Sequence, residues 1–511
     1  MLNTAKGLAA LLCLLLSSFP HLIPFQKRLP SKAAPRTAKP IKPSDKEMPP
    51  NIILILTDDL DVKSISHMPN LTALLIKKGT RFTNFFTGLS LCCPSRASIL
   101  RGQYAHNHGI VKNSPPNGGF QGFRDKQLES STIATWLQSA GYETVLIGKY
   151  FNGYPDRNLE YIPPGWNQWY AWINNEEPLN SSDPDEDAPS HYFNYKLNEN
   201  GKIVFYGNNP EDYLTDVQAQ KALNFLQHAA GNNKPFFLHL SVHAPHTPAI
   251  PAPRHRNALS KIKGIPRTTA FNEQDVSDKP TWIRKMPLLS NKQIDDIDRL
   301  YRRRLQMMLS VDDLLASIIE KLAATDQLTN TYIFFTSDNG YHMGQHRLPS
   351  NKSTLYEEDI HVPMIVRGPG VVAGRVVEEL AGNVDLAQTF AELAGITTPN
   401  FVDGRSLLPL LKNAPSAMDK WRKVFLLERF SSSEKECKGL HTKIYKYVEY
   451  TNGEHELYNL KKDPQELNNI YQQADKTLIS ELSSRLMGMR DCKSQRCRDL
   501  EEEPLFADNQ P

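Results

Sequence analysis

The sequence has few cysteines, almost no excess of either charge and only one long apolar run. Six cysteines in 511 residues are too few for a small disulfide-stabilised scaffold. The 59 basic and 56 acidic side chains leave a net charge of +3, so we expect no nucleic-acid partner. No repeat of fixed period is present. Apolar residues still make up 40% of the chain, which is ordinary for a globular protein.

The one long apolar run lies at the N-terminus. Residues 1–19 carry Lys6 and then an apolar segment over 7–16, which is typical of a secretory signal peptide. The segment is shorter than the about 20 apolar residues of a membrane span, although an uncleaved anchor stays open. We predict a signal peptide over 1–25, a Pro- and Lys-rich linker over 26–49 and no stable membrane span. Such a protein enters the secretory route and is lysosomal, extracellular or periplasmic, depending on its source.

Buried strands alternate with helices through the middle of the chain. Continuous apolar runs predict strands at 51–56, 142–147, 235–242, 331–336 and 362–366. Helical spacing predicts helices at 70–78, 132–140, 217–230 and 305–324. This alternation indicates an α/β domain over 50–411 with a large, mostly parallel sheet flanked by helices. Shorter strands over 424–463 indicate a smaller C-terminal α+β subdomain over 412–511.

Polar side chains follow four of these predicted strands. They are Asp58, Asp59, Lys149, His243, His246, Asp338 and Asn339. Ligands bind beyond the carboxyl ends of strands in open α/β sheets, so these positions are candidate site residues. One Asp-Asp pair after a strand is more often a turn or helix cap, but a second acidic strand end favours a shared cation site. Carboxylate and amide oxygens suit Ca²⁺ or Mg²⁺ better than zinc.

A cysteine pair precedes a predicted helix. Cys92 and Cys93 stand before Pro94, and proline is favoured just inside a helix start. The helix N-terminus has free N–H groups and a positive partial charge, which favour an anion. Arg96 follows one turn into the helix, on the cysteine side. The two cysteines could equally be a buried pair or bridge to distant partners.

Residues 92–96, Cys-Cys-Pro-Ser-Arg, match the C-x-P-S-R signature of the formylglycine-dependent type I sulfatases. The resemblance extends over most of residues 50–500, and the branch resembled is that of the N-acetylglucosamine-6-sulfatases. Further matching stretches lie at 51–59, 148–152, 312–314, 335–345, 352–363, 367–370 and 456–464. The resemblance implies an alkaline-phosphatase-like fold with a large mixed sheet and the activity of a sulfuric ester hydrolase.

The resemblance also implies a modified residue and one metal ion. In the family, the first cysteine of the signature is converted in the secretory pathway to Cα-formylglycine (3-oxoalanine) by a formylglycine-generating enzyme, and that cysteine is Cys92 here. The family's ligands for one Ca²⁺ map to Asp58, Asp59, the modified Cys92, Asp338 and Asn339. Cys492 and Cys497 resemble a cysteine pair of the same branch, which implies a disulfide between them.

The family's catalytic groups map to Cys92, Arg96, Lys149, His246 and Lys352. The hydrated aldehyde is expected to attack sulfur with one hydroxyl, after which the second hydroxyl collapses to expel sulfate. Arg96 stabilises the hydrate, the two lysines contact the sulfate, and His246 protonates the leaving alcohol, with Lys352 as a helper. His243 is a candidate substrate contact. Phe151 and Asn152 replace the histidine that many sulfatases have two residues after the matching lysine.

Three functions compete at this point. The first is hydrolysis of the 6-O-sulfate of N-acetylglucosamine in glycosaminoglycans. The second keeps the chemistry with another substrate, as a broader arylsulfatase or a phosphodiester or phosphonate hydrolase. The third is a non-catalytic glycan-binding homologue, against which the retained Cys92, Arg96 and metal residues argue. Loops over 153–212 and 249–285 are expected to form the substrate-selecting rim.

Overall fold

The computed structural model describes residues 48–173, 191–412 and 420–505. The predicted signal peptide and nearly all of the predicted linker lie outside the described residues. The described strands are β1 Asn51–Thr57, β2 Thr80–Phe82, β3 Phe85–Phe86, β4 Glu143–Gly148, β5 Gln168–Trp172, β6 Tyr195–Glu199, β7 Lys202–Tyr206, β8 Phe236–Ser241, β9 Thr331–Ser337, β10 Met364–Arg367, β11 Arg375–Val377, β12 Ala381–Gly382, β13 Phe425–Arg429, β14 Cys437–His441, β15 Tyr445–Tyr450 and β16 His455–Asn459.

The α-helices of these residues vary from one turn to 34 residues. They are α1 Cys92–Arg101, α2 Ala105–His108, α3 Gly119–Asp125, α4 Ile133–Ser139, α5 Leu214–Ala229, α6 Thr281–Arg284, α7 Asn291–Ala324, α8 Glu357–Ile360, α9 Leu386–Leu393, α10 Leu408–Leu411, α11 Lys476–Met489 and α12 Gln495–Glu502. A π-helix spans Leu71–Ile76, and short 3₁₀ helices span Ser64–His67, Leu128–Ser130, Pro210–Asp212, Pro253–His255, Leu328–Asn330 and Asn383–Asp385. No described helix combines the length and hydropathy needed to cross a bilayer.

A ten-stranded sheet with order β11-β2-β10-β9-β1-β8-β4-β5-β6-β7 forms the centre of the fold. Its middle strands β9, β1, β8, β4 and β5 are parallel, whereas β10 and β2 on one side and β6 and β7 on the other pair antiparallel. The predicted mixed, mostly parallel sheet is therefore confirmed.

Both faces of the sheet are covered by helices. Ile52, Leu54 and Leu56 of β1 belong to a hydrophobic cluster with residues of α1, α4 and α9. Ile53 and Ile55 belong to a second cluster, with residues of α5 and α7. Alternate residues of a strand point to opposite faces, which explains why the strand is apolar throughout.

Helix α7 begins 14 residues before its predicted start at residue 305. Ser290 caps it: its hydroxyl accepts from the Gln293 N–H, and the Gln293 side chain accepts in return from the Ser290 N–H. The added turns are rich in charge and bury only Ile297, Tyr301 and Arg304 at helical spacing. So narrow an apolar stripe gives a weak sequence signal.

One segment differs from its prediction, whereas the short strands and helices expected in the C-terminal region are confirmed. The expected loop over 153–212 contains β5, β6 and β7, which extend the main sheet, so this prediction was wrong for those residues. After residue 412 the chain forms a four-stranded antiparallel sheet, β13-β14-β15-β16, and two helices. These elements share a hydrophobic cluster with Phe86 and Tyr104 of the preceding region. The division at residues 411 and 412 stays a prediction.

Candidate active site

The carboxyl ends of four parallel strands meet at one edge of the sheet. β1 pairs with β9 such that Thr57 lies opposite Ser337, and it pairs with β8 on its other side. β4 follows next to β8 and ends where Gly148 lies opposite Ser241. The polar residues that follow these strands are thereby brought together, as the strand pattern predicted.

Asp58 is fully buried and contacted by three basic side chains. Lys149 donates a hydrogen bond to its Oδ2, His243 Nδ1 lies 3.2 Å from the same oxygen, and Arg96 Nη2 lies 3.6 Å away. Burial alone would raise the pKa of this carboxyl, but Lys149 and His246 outweigh it, so the pKa lies well below its usual value. Asp58 is ionised across the working pH range.

Asp59 is held by a second lysine and an amide. Lys352 donates to its Oδ1, and Asn339 Nδ2 donates to the same oxygen at 2.7 Å. Lys352 also donates to Cys92 Sγ at 2.7 Å, and the Lys352 side chain is 9% exposed. Burial opposes ionisation of Asp59, yet Lys352 lowers the pKa of this carboxyl below its usual value. Lys352 thus connects one acidic residue with the cysteine of the signature.

Arg96 connects the helix to the strand ends. Its Nε donates to Asp338 Oδ2 at 2.9 Å, and its Nη1 donates to the Lys149 carbonyl at 2.9 Å and to Ser241 Oγ at 2.6 Å. Arg96 Nη2 is buried with no hydrogen-bond partner among the described residues. Burial together with Asp58 raises the pKa of Asp338 to about 6. Arg96 therefore fixes Asp338 and keeps N–H groups for another anion.

Cys92 occupies the first turn of α1, as predicted. Leu91 is the N-cap, and the helix ends at Gly102, whose φ of 66° lies in the left-handed region that favours glycine. Cys92 Sγ lies 3.5 Å from Asp58 Oδ1 and is fully buried. Burial, reinforced by Asp58, raises the pKa of the Cys92 thiol far above its usual value. The unmodified thiol is consequently a poor nucleophile.

The described charges at this edge balance one another. Three carboxylates, those of Asp58, Asp59 and Asp338, face the three permanent cations Arg96, Lys149 and Lys352. A divalent cation added to such a set makes the site positive by two charges, which suits an anionic substrate.

The donor set fits a hard divalent cation. Asn339 Oδ1 is buried and accepts no hydrogen bond from any described residue. An unpaired buried amide oxygen is costly unless a cation or a donor completes it. Ligand atoms of Asp58, Asp59, Cys92 and His246 lie within 4.8 Å of one another, and the Asp59 N–H donates to Asp338 Oδ1 at 3.2 Å. Among these groups, the carboxylates and the Asn339 amide oxygen are ligands that favour Ca²⁺ over softer metals.

The two predicted histidines differ in exposure. The His246 side chain is 21% exposed, its Nδ1 lies 2.6 Å from the Thr247 carbonyl, and its Nε2 lies 3.7 Å from Asp59 Oδ2. His243 is 1% exposed and stacks on His246 with ring centroids 4.7 Å apart. Burial lowers the pKa of both rings. His246 is the one placed to reach a ligand, and the contact of His243 with substrate stays a prediction.

Sequence reasoning missed three residues of this edge. Ser241 accepts from Arg96, Arg304 donates to the Asp59 and Pro245 carbonyls, and His191 Nδ1 lies 3.2 Å from His243 Nε2. Ser241 ends β8 and could have been found by the same strand-end argument. Arg304 lies in the unpredicted part of α7, and no sequence signal marks His191.

Phe151 and Asn152, which differ from the pattern of many sulfatases, both contact other described side chains. Phe151 is buried and stacks on Phe123 with ring centroids 4.5 Å apart. Asn152 Oδ1 lies 3.3 Å from Cys93 Sγ. The backbone N–H of Cys93 donates to Asn113 Oδ1 at 2.9 Å. Neither Phe151 nor Asn152 supplies a second acid. Far from these residues, Cys492 and Cys497 form the expected disulfide.

The chain is similar in sequence to known protein families and proteins. Residues 50–396 match the sulfatase family model, and residues 344–492 match that of the N-sulphoglucosamine sulphohydrolase C-terminal region. The chain is 36% identical over 493 residues to N-acetylglucosamine-6-sulfatase of Homo sapiens, covering 88% of this chain and 86% of that protein.

Solved structures resemble the fold. BT4656 in complex with its substrate D-glucosamine-2-N,6-O-disulfate matches at 26% identity and TM-score 0.71, covering 89% of this chain and 99% of that one. The phosphonate monoester hydrolase of Agrobacterium radiobacter matches at 23% identity and TM-score 0.67, covering 86% and 95%. The predicted alkaline-phosphatase-like fold is confirmed.

Proposed function

This chain belongs to the sulfatase family and is a sulfuric ester hydrolase, and we propose that its substrate is the 6-O-sulfate of N-acetylglucosamine units in glycosaminoglycans. One observation carries the proposal: Cys92, at the start of α1, lies against the acidic edge formed by Asp58 and Asp59, with Lys352 in contact with both Asp59 and Cys92. The proposed nucleophile and the proposed cation site would thereby lie next to each other and to positive charge.

The nucleophile is proposed to be formylglycine made from Cys92. A sulfuryl group transferred to the cysteine sulfur would have no easy exit, and burial already disfavours the thiolate. When hydrated, the aldehyde supplies one hydroxyl to attack sulfur and a second whose deprotonation expels sulfate. Arg96, whose Nη2 has no hydrogen-bond partner among the described residues, would orient the hydrate. The conversion requires a formylglycine-generating enzyme as a partner during maturation.

The cation is proposed to be one Ca²⁺. Asp58, Asp59, Asp338, Asn339 and the modified side chain at position 92 would hold it. Bound there, the ion would supply positive charge next to the sulfate and would favour the ionised form of the nucleophile. The unpaired Oδ1 of Asn339 and the buried carboxylates support this assignment.

Protein groups complete the chemistry. Lys149 and Lys352 have raised pKa values, because Asp58 and Asp59 outweigh the effect of burial, so both stay charged next to the sulfate. Their charge would offset the negative charge that develops on the sulfate oxygens in the transition state. In its protonated form, His246 would donate the proton of Nε2 to the leaving alcohol while its Nδ1 N–H is engaged by the Thr247 carbonyl.

The proposed substrate is supported by the resemblance to N-acetylglucosamine-6-sulfatase and to BT4656 with a 6-O-sulfated glucosamine. The fold shared with a phosphonate monoester hydrolase keeps that substrate class as the second candidate. Passage through the secretory route, to a lysosomal, extracellular or periplasmic site, is proposed from residues 1–25 and the disulfide.

Side-by-side assays test the proposal. Hydrolysis is measured as sulfate release from N-acetylglucosamine-6-sulfate and an aryl sulfate and as alcohol release from a phosphodiester and a phosphonate monoester, with the Cys92→Ala variant as the blank. We expect the highest kcat/KM for the 6-sulfated sugar. Preference for a phosphorus ester would overturn the substrate assignment, and binding of sulfated glycan without turnover would favour a non-catalytic homologue.

A further inference from the structure

Three histidines form a second cluster next to the proposed catalytic residues. Ring nitrogens of His191, His243 and His246 lie within 4.8 Å of one another, and His191 Nδ1 is 3.2 Å from His243 Nε2. His191 is partly buried and His246 is 21% exposed, so the cluster can be reached from solvent. The proposed function uses only one nitrogen of this cluster, His246 Nε2.

In His243 and His246, one ring nitrogen points away from the cluster and contacts a fixed oxygen acceptor. We call this the outer nitrogen, and we call the ring nitrogens that face the centre of the cluster the inner nitrogens. His243 Nδ1 faces the Asp58 carboxylate at 3.2 Å, and His246 Nδ1 faces the Thr247 carbonyl at 2.6 Å. Metal-bound histidines typically have this arrangement, in which the outer N–H is held by a carboxylate or carbonyl and the other nitrogen presents a lone pair.

The inner nitrogens of His243 and His246 carry lone pairs when these rings are neutral. A neutral imidazole has one N–H. His243 Nδ1 and His246 Nδ1 face oxygen acceptors, so in neutral rings their N–H groups point outward and His243 Nε2 presents a lone pair to His191 Nδ1 at 3.2 Å. A cation can accept these inner lone pairs.

We propose that His191, His243 and His246 bind a Zn²⁺ ion. Three imidazoles and one open position are an established ligand set for zinc, with about 2.1 Å from metal to nitrogen and hence about 3.4 Å between ligands. The 3.2 Å between His191 and His243 is close to this spacing. Nitrogen ligands disfavour Ca²⁺, so the two ions would occupy separate positions.

Bound zinc inhibits the enzyme, a consequence that rests on the proposed function. The ion takes the lone pair of His246 Nε2, the nitrogen from which the leaving alcohol would receive its proton. His191 itself has no part in the sulfate chemistry, so a change there separates metal binding from catalysis.

Binding is measured first, with saturating Ca²⁺ present. Co²⁺ is titrated into the full-length protein and its visible absorption recorded, and Zn²⁺ is titrated by calorimetry. We expect one ion per chain and the intense absorption of four-coordinate cobalt with nitrogen ligands. Weak absorption typical of six-coordinate cobalt, or no binding, overturns the proposal.

The matched variants are His191→Gln and His228→Gln, the latter an exposed histidine of α5. Changing a hydrogen-bond partner of a metal ligand costs about 10- to 100-fold in affinity, so losing His191 should weaken zinc binding and inhibition by at least about 100-fold. His228→Gln should change neither. Equal zinc affinity in His191→Gln and the unchanged protein overturns the proposal. Zinc binding without inhibition supports the site and contradicts the role of His246 instead.

Discussion

The side chain at position 92 is shielded from water and contacts groups of both positive and negative charge. Lys352 donates to its sulfur, Asp58 lies 3.5 Å from it, and burial raises the pKa of the thiol. These surroundings suit a neutral group that becomes anionic only during reaction. The same surroundings disfavour an ordinary thiolate at this position.

Replacing Cys92 with alanine removes the proposed nucleophile. We predict that Cys92→Ala loses at least about 10³-fold in kcat, because a covalent step is deleted, while its melting temperature changes little. The control is Cys93→Ala, which alters the adjacent buried thiol and should keep most activity. Sulfate release and thermal unfolding measure both effects. Comparable turnover by Cys92→Ala would rule out this nucleophile.

Replacing His246 tests the proton donor. We predict that His246→Asn lowers kcat by about 10²- to 10⁴-fold on sugar sulfates, whose alkoxide is a poor leaving group. An aryl sulfate with an electron-poor ring needs no proton, so its hydrolysis should be much less affected. His228→Asn serves as the control. An equal loss on both substrates would contradict the assigned role.

The sequence predicted most of this site at residue level because each strand-end group has a recognisable type and place. Asp58, Asp59, Asp338 and Asn339 were found by the position of strands, and the signature marked Cys92 and Arg96. His191 and Arg304 were not found, because each reaches the site from a distant part of the chain. Long-range contacts of that kind leave no local pattern.

At the level of elements, strand β4 begins after one glycine and ends at another. Gly141 has φ of 90° and Gly148 has φ of 109°, in the left-handed range. A Cβ at Gly148 would lie 2.0 Å from the Ser241 carbonyl oxygen, whereas nothing lies within 4 Å of one at Gly141. Close approach of β8 to β4 requires Gly148, and Lys149 follows directly.

We predict that Gly148→Ala disrupts the site and Gly141→Ala does not. Both variants incur the cost of positive φ, about 1 kcal/mol, but only the first also separates two strands. Gly148→Ala should unfold at a clearly lower temperature and lose activity through displacement of Lys149. Thermal unfolding and kcat measure the contrast. Equal stability of the two variants would contradict the close approach.

The 3₁₀ helix Leu128–Ser130 buries an acid. Glu129 is 5% exposed, Tyr161 donates to its Oε2 at 2.9 Å, and burial raises its pKa from 4.5 to about 7. The folded state keeps this proton between these pH values, whereas the unfolded state releases it. Glu129 therefore reduces stability as pH rises through this window, by up to about 3 kcal/mol.

Glu129→Gln removes that dependence. We predict that the variant gains stability relative to the unchanged protein on going from pH 5 to pH 8. Melting temperatures of both proteins across this range measure the difference. A difference that stays constant with pH would show that Glu129 does not keep its proton on folding.

The alternation of elements was predictable because buried parallel strands and helices have distinct apolar patterns. The first half of α7 was not, since charged residues cover most of its surface. β6 and β7 were missed for a related reason: they lie at one end of the sheet, and polar or partly exposed side chains interrupt their apolar pattern. β5 is mostly buried but only five residues long. Tertiary pairing, which a single segment does not reveal, decides such elements.

At the level of the whole molecule, the site connects widely separated parts of the chain. Asp59, Cys92, Asn339 and Lys352 come from segments before and after the long helix α7. An ion bound by several of these segments stabilises the folded state, because the unfolded chain cannot present the same ligands.

We predict that Ca²⁺ raises the melting temperature of protein freed of divalent cations. At a free Ca²⁺ concentration of 100 times the dissociation constant, the free energy of unfolding rises by about 2.7 kcal/mol. Asp59→Asn should lose most of this response, and Asp295→Asn, at an exposed acid of α7, should keep it. Calorimetric scans with and without Ca²⁺ provide the measurement. An unchanged melting temperature would contradict the calcium site.

The most direct measurement is the mass of the tryptic peptide 82–96 from protein produced in a eukaryotic secretory host and active on a sulfate ester. The account predicts a peptide that has lost the sulfur of Cys92, carries an aldehyde and reacts with a hydrazide. An intact thiol at position 92 in fully active protein would contradict it.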